Sequence, residues 1–345
     1  MKKIKALLLF SVFFLLSSCL PNTELSDRAV VEGIGIDYID GKYSVCVQYF
    51  DPSSADDRDT LLLQENGNTL KDALAEISRR SSRVLYFGHN NIIVIGTDAA
   101  KQDIYGIMNF FNRDRQTNSD IALLLTERAE NVIRLSDSEQ PTSPLSVLRI
   151  IQRAEKSGDG CEYRLYRLLQ GYYSENGAYC LPFGTVNGNH ELSIDGAGIF
   201  RKNGYTGTVS REVTRGIGWI NGKMSDYTFF DDEMLYTVSS CESKVQAFTV
   251  NQKPLFRISI RVFLKSPPVL LSAREKSDCE RTFAENVQES AQYALEKVVL
   301  EKKCDIFSLT PHVKYELTDY WKTHETAWIS DLTAEWKVTA ICIIR

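Results

Sequence analysis

Acid–base and metal chemistry would fall first to the histidines, of which the chain has four: His89, His190, His312 and His324. None has the H-E-x-x-H spacing that sets two imidazoles on one helix face, and no Cys/His cluster has zinc-ligand spacing. His89 follows Gly88 in an expected loop, where a backbone-bonded surface histidine is the plainer reading. No Gly-x-Ser-x-Gly elbow nominates a nucleophilic serine. The stretch Gly216-Ile217-Gly218-Trp219-Ile220-Asn221-Gly222 is glycine-rich, but it lacks dinucleotide-binding spacing and a Walker lysine, and it reads as turns around a strand. Asp231-Asp232-Glu233 lacks EF-hand spacing and reads as solvated acids. Arg79, Arg80 and Arg83 gather at an expected helix end, where the helix dipole favours cations. Arg113, Asp114 and Arg115 read as a polar network at a domain junction. With no cofactor or metal motif, these absences argue against an enzyme.

One cysteine stands in a chemical context of its own. Lys2, Lys3 and Lys5 precede an apolar run from Ala6 to Leu16, and eleven helical residues span roughly 16 Å. That is about half of a ~30 Å hydrocarbon core, too short for a membrane span and suited to a secretory signal. Leu16-Ser17-Ser18-Cys19 follows. It resembles the bacterial lipobox, in which the cysteine thiol receives a diacylglyceryl group and becomes the new N-terminus after cleavage. Residues 1–18 are then a lipoprotein signal peptide and Cys19 the lipidation site, and the acyl chains anchor the body stably. An ordinary signal peptide, or an uncleaved anchor, with Cys19 incidental is the plain alternative.

Seven cysteines remain, an odd number with no C-x-x-C among them. Cys46 and Cys342 lie in strand-like segments and read as small core residues. Cys279 and Cys304 bracket an expected helix whose length would hold them far apart. Cys161 and Cys180 flank a short segment and are the one pair worth testing as a disulfide, with free thiols throughout as the default. The 345 residues are 43% hydrophobic and 25% charged, with 40 basic against 45 acidic side chains. This is a globular profile with room for a large core. The acidic balance argues against nucleic acid as a partner, and loss of the three leader lysines would leave the body more acidic still.

Periodicity supplies the elements that must position any site. Ala29–Ile36 and Lys42–Phe50 read as strands joined at Asp40-Gly41, a hairpin signal. Asp51 to Asp59 is an acidic loop. Thr69, with Asp72 three residues on, opens a helix through Arg80 whose apolar face is Leu70, Ala73, Leu74 and Ile77. Asn91–Ile95 and Asp120–Thr126 read as strands, with a helix over Lys101–Asn112 between them. Pro144 opens a helix through Ala154, Tyr163–Gln170 is helical, and Gly184–His190 reads as a connection between domains. Leu192–Arg201 and Tyr205–Val209 flank Asn203-Gly204, the strongest hairpin signal. Phe256–Leu264 alternates as a half-exposed strand, a helix runs from Thr282 to Lys303, and Trp336–Ile344 alternates as a closing strand. The fold class is α+β and multi-domain, with mixed sheets packed by helices and a long helix in the C-terminal part. The expected division is 19–135, an N-terminal α+β domain; 136–190, a middle domain or connection; and 191–345, a C-terminal α+β domain.

The segments in order resemble the Ger(x)C family of spore germination lipoproteins. The residues that carry this are Gly33-Ile34-Gly35-Ile36-Asp37 with its hairpin, the stretch from Leu74 to Gly96, and Phe111 to Glu127. In the second half they are Gly196 to Lys223, Asp305-Ile306-Phe307, and Trp321, Trp328 and Trp336. The chain departs from the family pattern at Leu20-Pro21, at Ser308-Leu309-Thr310 and at Arg345. The resemblance implies three α+β domains with no established catalytic residues. It also implies the C subunit of a nutrient germinant receptor, working with an A subunit and a polytopic B subunit at the outer face of the spore inner membrane. Glu212, Arg215 and Trp219 lie in the most family-like segment of the second half and are expected at a domain junction or partner face. A solute-binding envelope lipoprotein that captures a ligand directly is the alternative function.

Overall fold

Asp40 and Gly41 both take positive φ, 49° and 78°, the two left-handed positions a hairpin turn needs to match strand twist. They join β1 (Arg28–Ile39) to β2 (Lys42–Phe50) in antiparallel register. The structure is a computed structural model. It describes residues 28–50, 60–81, 83–137, 142–202, 204–231, 234–265, 272–325 and 327–343. The leader with Cys19, the acidic loop 51–59, Asn203 and Asp232-Glu233 lie outside the described residues.

Around that hairpin a first sheet is built from β3 (Thr60–Gly67), β4 (Val84–Tyr86), β5 (Ile92–Gly96), β6 (Ala122–Thr126), β7 (Ala178–Val186), β8 (Leu192–Arg201) and β9 (Gly204–Ser210). The spatial order is β3-β2-β1-β5-β6-β7-β8-β9, with β4 beside β1. Its centre is parallel, from β1 through β5 and β6 to β7. Ile92–Gly96 and Ala122–Thr126 are buried at every position, as expected for parallel strands covered on both faces.

Helices supply that cover. On one face lie α1 (Leu70–Arg80), α2 (Thr97–Arg113) and α5 (Leu165–Tyr173); on the other lie α3 (Ala129–Ile133) and α4 (Pro144–Ser157). Thr69 and Asp72 form the reciprocal capping box that starts α1. Within α2, Asp103 leaves helical geometry (φ −166°, ψ 73°), and its carboxylate accepts from Gly106 N at 2.7 Å, restarting the helix after the break.

The second sheet has the order β10 (Thr228–Asp231), β11 (Met234–Val250), β12 (Lys253–Lys265) and β13 (Thr333–Ile343). In β12 the even residues Phe256 to Leu264 are all buried, and β13 runs parallel to it. A long helix, α7 (Ala273–Leu295), continues through a π-helical turn at Glu296–Glu301. Ser272 and Glu275 close a second capping box at its start, nine residues earlier than periodicity places it. The C-terminal part also holds α8 (Leu309–Glu316), α9 (Thr318–His324) and α10 (Trp328–Asp331).

The α+β architecture and long C-terminal helix are as expected, and the described strands form two sheets. Residues 136–190 supply α4, α5 and β7 to the first sheet, and Gly184–His190, expected as a domain connection, lies in the β7–β8 hairpin. The Gly216–Gly222 stretch corrects the expectation of turns around a strand: α6 (Arg211–Ile220) occupies it. Ser210 caps this helix through Val213 N, and Val213, Ile217 and Ile220 are its buried face.

Candidate functional site

The site is the seam where α6 and the strands after it meet the loop that follows α4. That loop begins at Gly158, left-handed at φ 79°, where any side chain would meet the Met224 thioether. Gly216 likewise has no room for a Cβ, because the Ser290 carbonyl and Ala294 of α7 press against it. The glycines that resembled turns serve instead to bring backbones close.

Charges line the seam in complementary pairs. Asp159 Oδ1 accepts from Arg215 Nε at 2.9 Å, and the Arg215 terminal nitrogen is 2.8 Å away. The Arg215 guanidinium also lies over the Tyr227 ring, 5.2 Å from its centroid. Lys223 Nζ donates to Glu162 at 3.2 Å. Arg164 bridges Glu162 (2.8 Å) and Glu155 (3.3 Å). Ser225 N and Asp226 N both donate to the Lys156 carbonyl, and Asn176 Nδ2 donates to the Asp305 carbonyl.

Burial would raise the Glu162 carboxyl, but the Arg164 hydrogen bond with the Lys223 and Arg164 charges outweighs it and holds the group low. Glu155 goes the other way: burial and the neighbouring Glu162 charge raise it against the pull of Arg164.

Magnitudes decide what holds the seam. Half-exposed ion pairs contribute about 1 kcal/mol or less each. A buried aliphatic or aromatic side chain contributes about 1.5–3 kcal/mol. One apolar cluster runs from Cys161, Ala178, Cys180, Ala197 and Ile199 of the first sheet's side through α6 to Phe283, Val287 and Ala291 of α7. The apolar core therefore supplies the adhesion, and the charges fix orientation.

Of the residues singled out in sequence, Arg215 is at the seam and Glu212 is exposed in the first turn of α6. Trp219 is 3% exposed, packed edge-on against Tyr227 and Phe283 within the apolar cluster that spans the seam, so of the two expected places it takes the junction and not an exposed face. The structure brings in Glu155, Asp159, Glu162, Arg164 and Lys223, which no local signal marks. Asp114 accepts from Thr117 N and Oγ1 as a turn former. Arg79 and Arg80 pair with Glu76 and Glu65.

The seam borders a cleft of about 450 Å³, lined by Cys161, Cys180, Glu162, Lys223, Asn176 and Ile306 among others. Cys161 and Cys180 are buried free thiols in contact with each other. Burial and the neighbouring thiol push Cys161 well above its ordinary range, which keeps it protonated and poorly nucleophilic. Among the described residues no group of three or more His, Cys, Asp or Glu is placed to hold a metal ion, and no helix is long and apolar enough to cross a membrane.

Residues 21–186 match the family described as spore germination protein, N-terminal domain, and residues 195–345 match the one described as spore germination B3/GerAC like, C-terminal. The chain belongs to the GerAC-like spore germination family. It is 21% identical to spore germination protein B3 of Bacillus subtilis (strain 168), over 92% of both chains. It is also 21% identical to spore germination protein KC of that organism, over 97% of this chain and 92% of the other. The crystal structure of the GerBC protein shares the fold, with a TM-score of 0.57 and 19% identity over 90% of this chain and 97% of that one.

In the terms of this family, the seam is where its N-terminal and C-terminal domains meet: Glu155 to Arg164 belong to the first, and Arg215 and Lys223 to the second. The first sheet nonetheless continues across the boundary: β8, which lies mostly in the C-terminal domain, pairs onto β7, and β9 pairs onto β8.

Proposed function

We propose that this chain is a lipid-anchored subunit of a nutrient germinant receptor. A diacylglyceryl group on Cys19 holds it at the outer face of the spore inner membrane, where it binds the receptor's A subunit and polytopic B subunit. Its role is binding and coupling rather than catalysis. The observation that carries this reading is the match of both germination-family domains along the chain, directly after a leader ending in Leu16-Ser17-Ser18-Cys19. Coupling requires a contact energy that differs between receptor states. The shared apolar core supports such a role, because a displacement at one domain cannot be absorbed without repacking against the other.

Glu212, exposed in the first turn of α6, is the side chain through which this helix would meet a partner, while Arg215 serves the domain junction through Asp159. Deleting the gene is expected to abolish germination in response to a subset of nutrients, and A and B subunits are expected to co-purify with the tagged chain. Unchanged germination with every nutrient, together with no co-purifying membrane protein, would sink the reading. Direct ligand capture in the seam cleft is the competing role. It requires a nutrient-dependent rise in melting temperature of the purified chain.

A further inference from the structure

A second cavity, of about 300 Å³, lies beside the seam and is lined by Arg149 and Arg153 of α4, Arg211 of α6 and Asp159, over an apolar floor of Ile150, Ala154 and Ile194. Arg149 and Arg153 are four residues apart and so project from one face of α4. Both are exposed, and among the described residues neither has a carboxylate partner. Arg211 is matched by Asp195 at 2.6 Å, donates to the Ile194 carbonyl at 3.0 Å, and has Asp159 at 3.9 Å. Asp159 itself is bonded to Arg215. Counting Arg149, Arg153, Arg211 and Arg215 against Asp159 and Asp195 leaves two guanidinium charges unmatched.

This concentration stands out in a chain of net charge −5. Attraction of an anion must be local, and at physiological ionic strength screening confines it to roughly 8 Å. Guanidinium forks fit the oxygens of a phosphate group in pairs, and the floor favours an organic group beside the charge. We propose that this pocket binds a phosphate ester, whose anionic oxygens sit on Arg149, Arg153 and Arg211 and whose apolar part rests on Ile150, Ala154 and Ile194. The same chemistry is offered by a soluble phosphate monoester and by a phospholipid head group. Because α4 and α6 come from different family domains, an occupant would clamp the seam. The inference does not depend on the germination role.

The test uses the full-length chain in a non-ionic detergent, titrated with phenyl phosphate in one arm and with phosphatidylglycerol mixed micelles in the other. Saturable binding is expected in at least one arm. Each lost guanidinium is expected to weaken binding by about tenfold, the order of one charge-assisted hydrogen bond. The Arg149→Gln/Arg153→Gln double variant should therefore lose about a hundredfold while melting as the parent does in the absence of ligand. Arg274→Gln, which removes an exposed cation of α7, should bind normally. Binding confined to phosphatidylglycerol identifies a lipid head group, and binding of phenyl phosphate identifies a soluble ester. Failure of both probes, full binding by the double variant, or equal loss in Arg274→Gln would each overturn the proposal.

Discussion

Asp37 is 3% exposed, and its two carboxylate oxygens accept from Ala129 N (2.9 Å) and Glu130 N (3.0 Å), the first donors of α3. Burial raises its pKa against those two hydrogen bonds. Asp305 repeats the device at α8, accepting from Leu309 N and from Thr310 N and Oγ1, with burial again the raising influence. Removing such an acceptor strands buried donors, at about 1–3 kcal/mol for each. Asp37→Ala is expected to cost about 2–4 kcal/mol in urea unfolding, and Asp37→Asn less, since one acceptor oxygen remains. Equal stability of Asp37→Ala and the parent would refute this role. At Cys161 and Cys180 the contact between thiols makes a sharp readout available: alkylation after unfolding without reductant should label both. An intact Cys161–Cys180 crosslink in a proteolytic digest of the alkylated chain would contradict the free-thiol state.

Among the elements, α6 is where sequence and structure part. Its Ser210 cap and the Val213, Ile217, Ile220 period were available, but Gly216 and Gly218 outweighed them as turn signals. Those glycines answer to partners 74 residues or more away, or to Met224 across a turn, and no local window contains that information. The same holds for β11, whose Ser239-Ser240-Cys241-Glu242-Ser243-Lys244 stretch is polar on its open face, and for Asp159 and Glu162, which a sequence presents as solvated loop charges. Where a signal is local, it was legible: the Thr69–Asp72 box, the Asp40-Gly41 turn and the alternation of β12 all stand as expected. A packing origin for Gly216 is checked by Gly216→Ala, expected to cost about 1–3 kcal/mol as overpacking. Gly188→Ala, with open space around it, should be near neutral.

At the scale of the whole molecule, the two family domains share a sheet and a core, so they should unfold together. A single calorimetric transition is expected, and two separated transitions would contradict a common core. The pH response follows from the seam. Glu162 is held low despite burial by Arg164 and Lys223, and Asp195 is held low despite burial by Ser193, Thr185 and Arg211. A carboxylate with a depressed folded pKa adds stability above its unfolded value, lost as pH falls through the folded one. Asp37, Glu155 and Asp305, shifted upward, work in the opposite sense and are relieved by acid. Glu162→Gln should therefore shrink the drop in melting temperature between neutral pH and about pH 3, below the ordinary glutamate range, and an unaltered drop would count against the seam pairs. Under the proposed function, one sulfur, that of Cys19, attaches the body to the membrane. The most direct measurement is fractionation of spores carrying Cys19→Ala, paired with their nutrient germination rate. The chain should leave the membrane fraction and germination should slow toward that of a deletion strain. Membrane retention with germination at the parental rate would contradict the account.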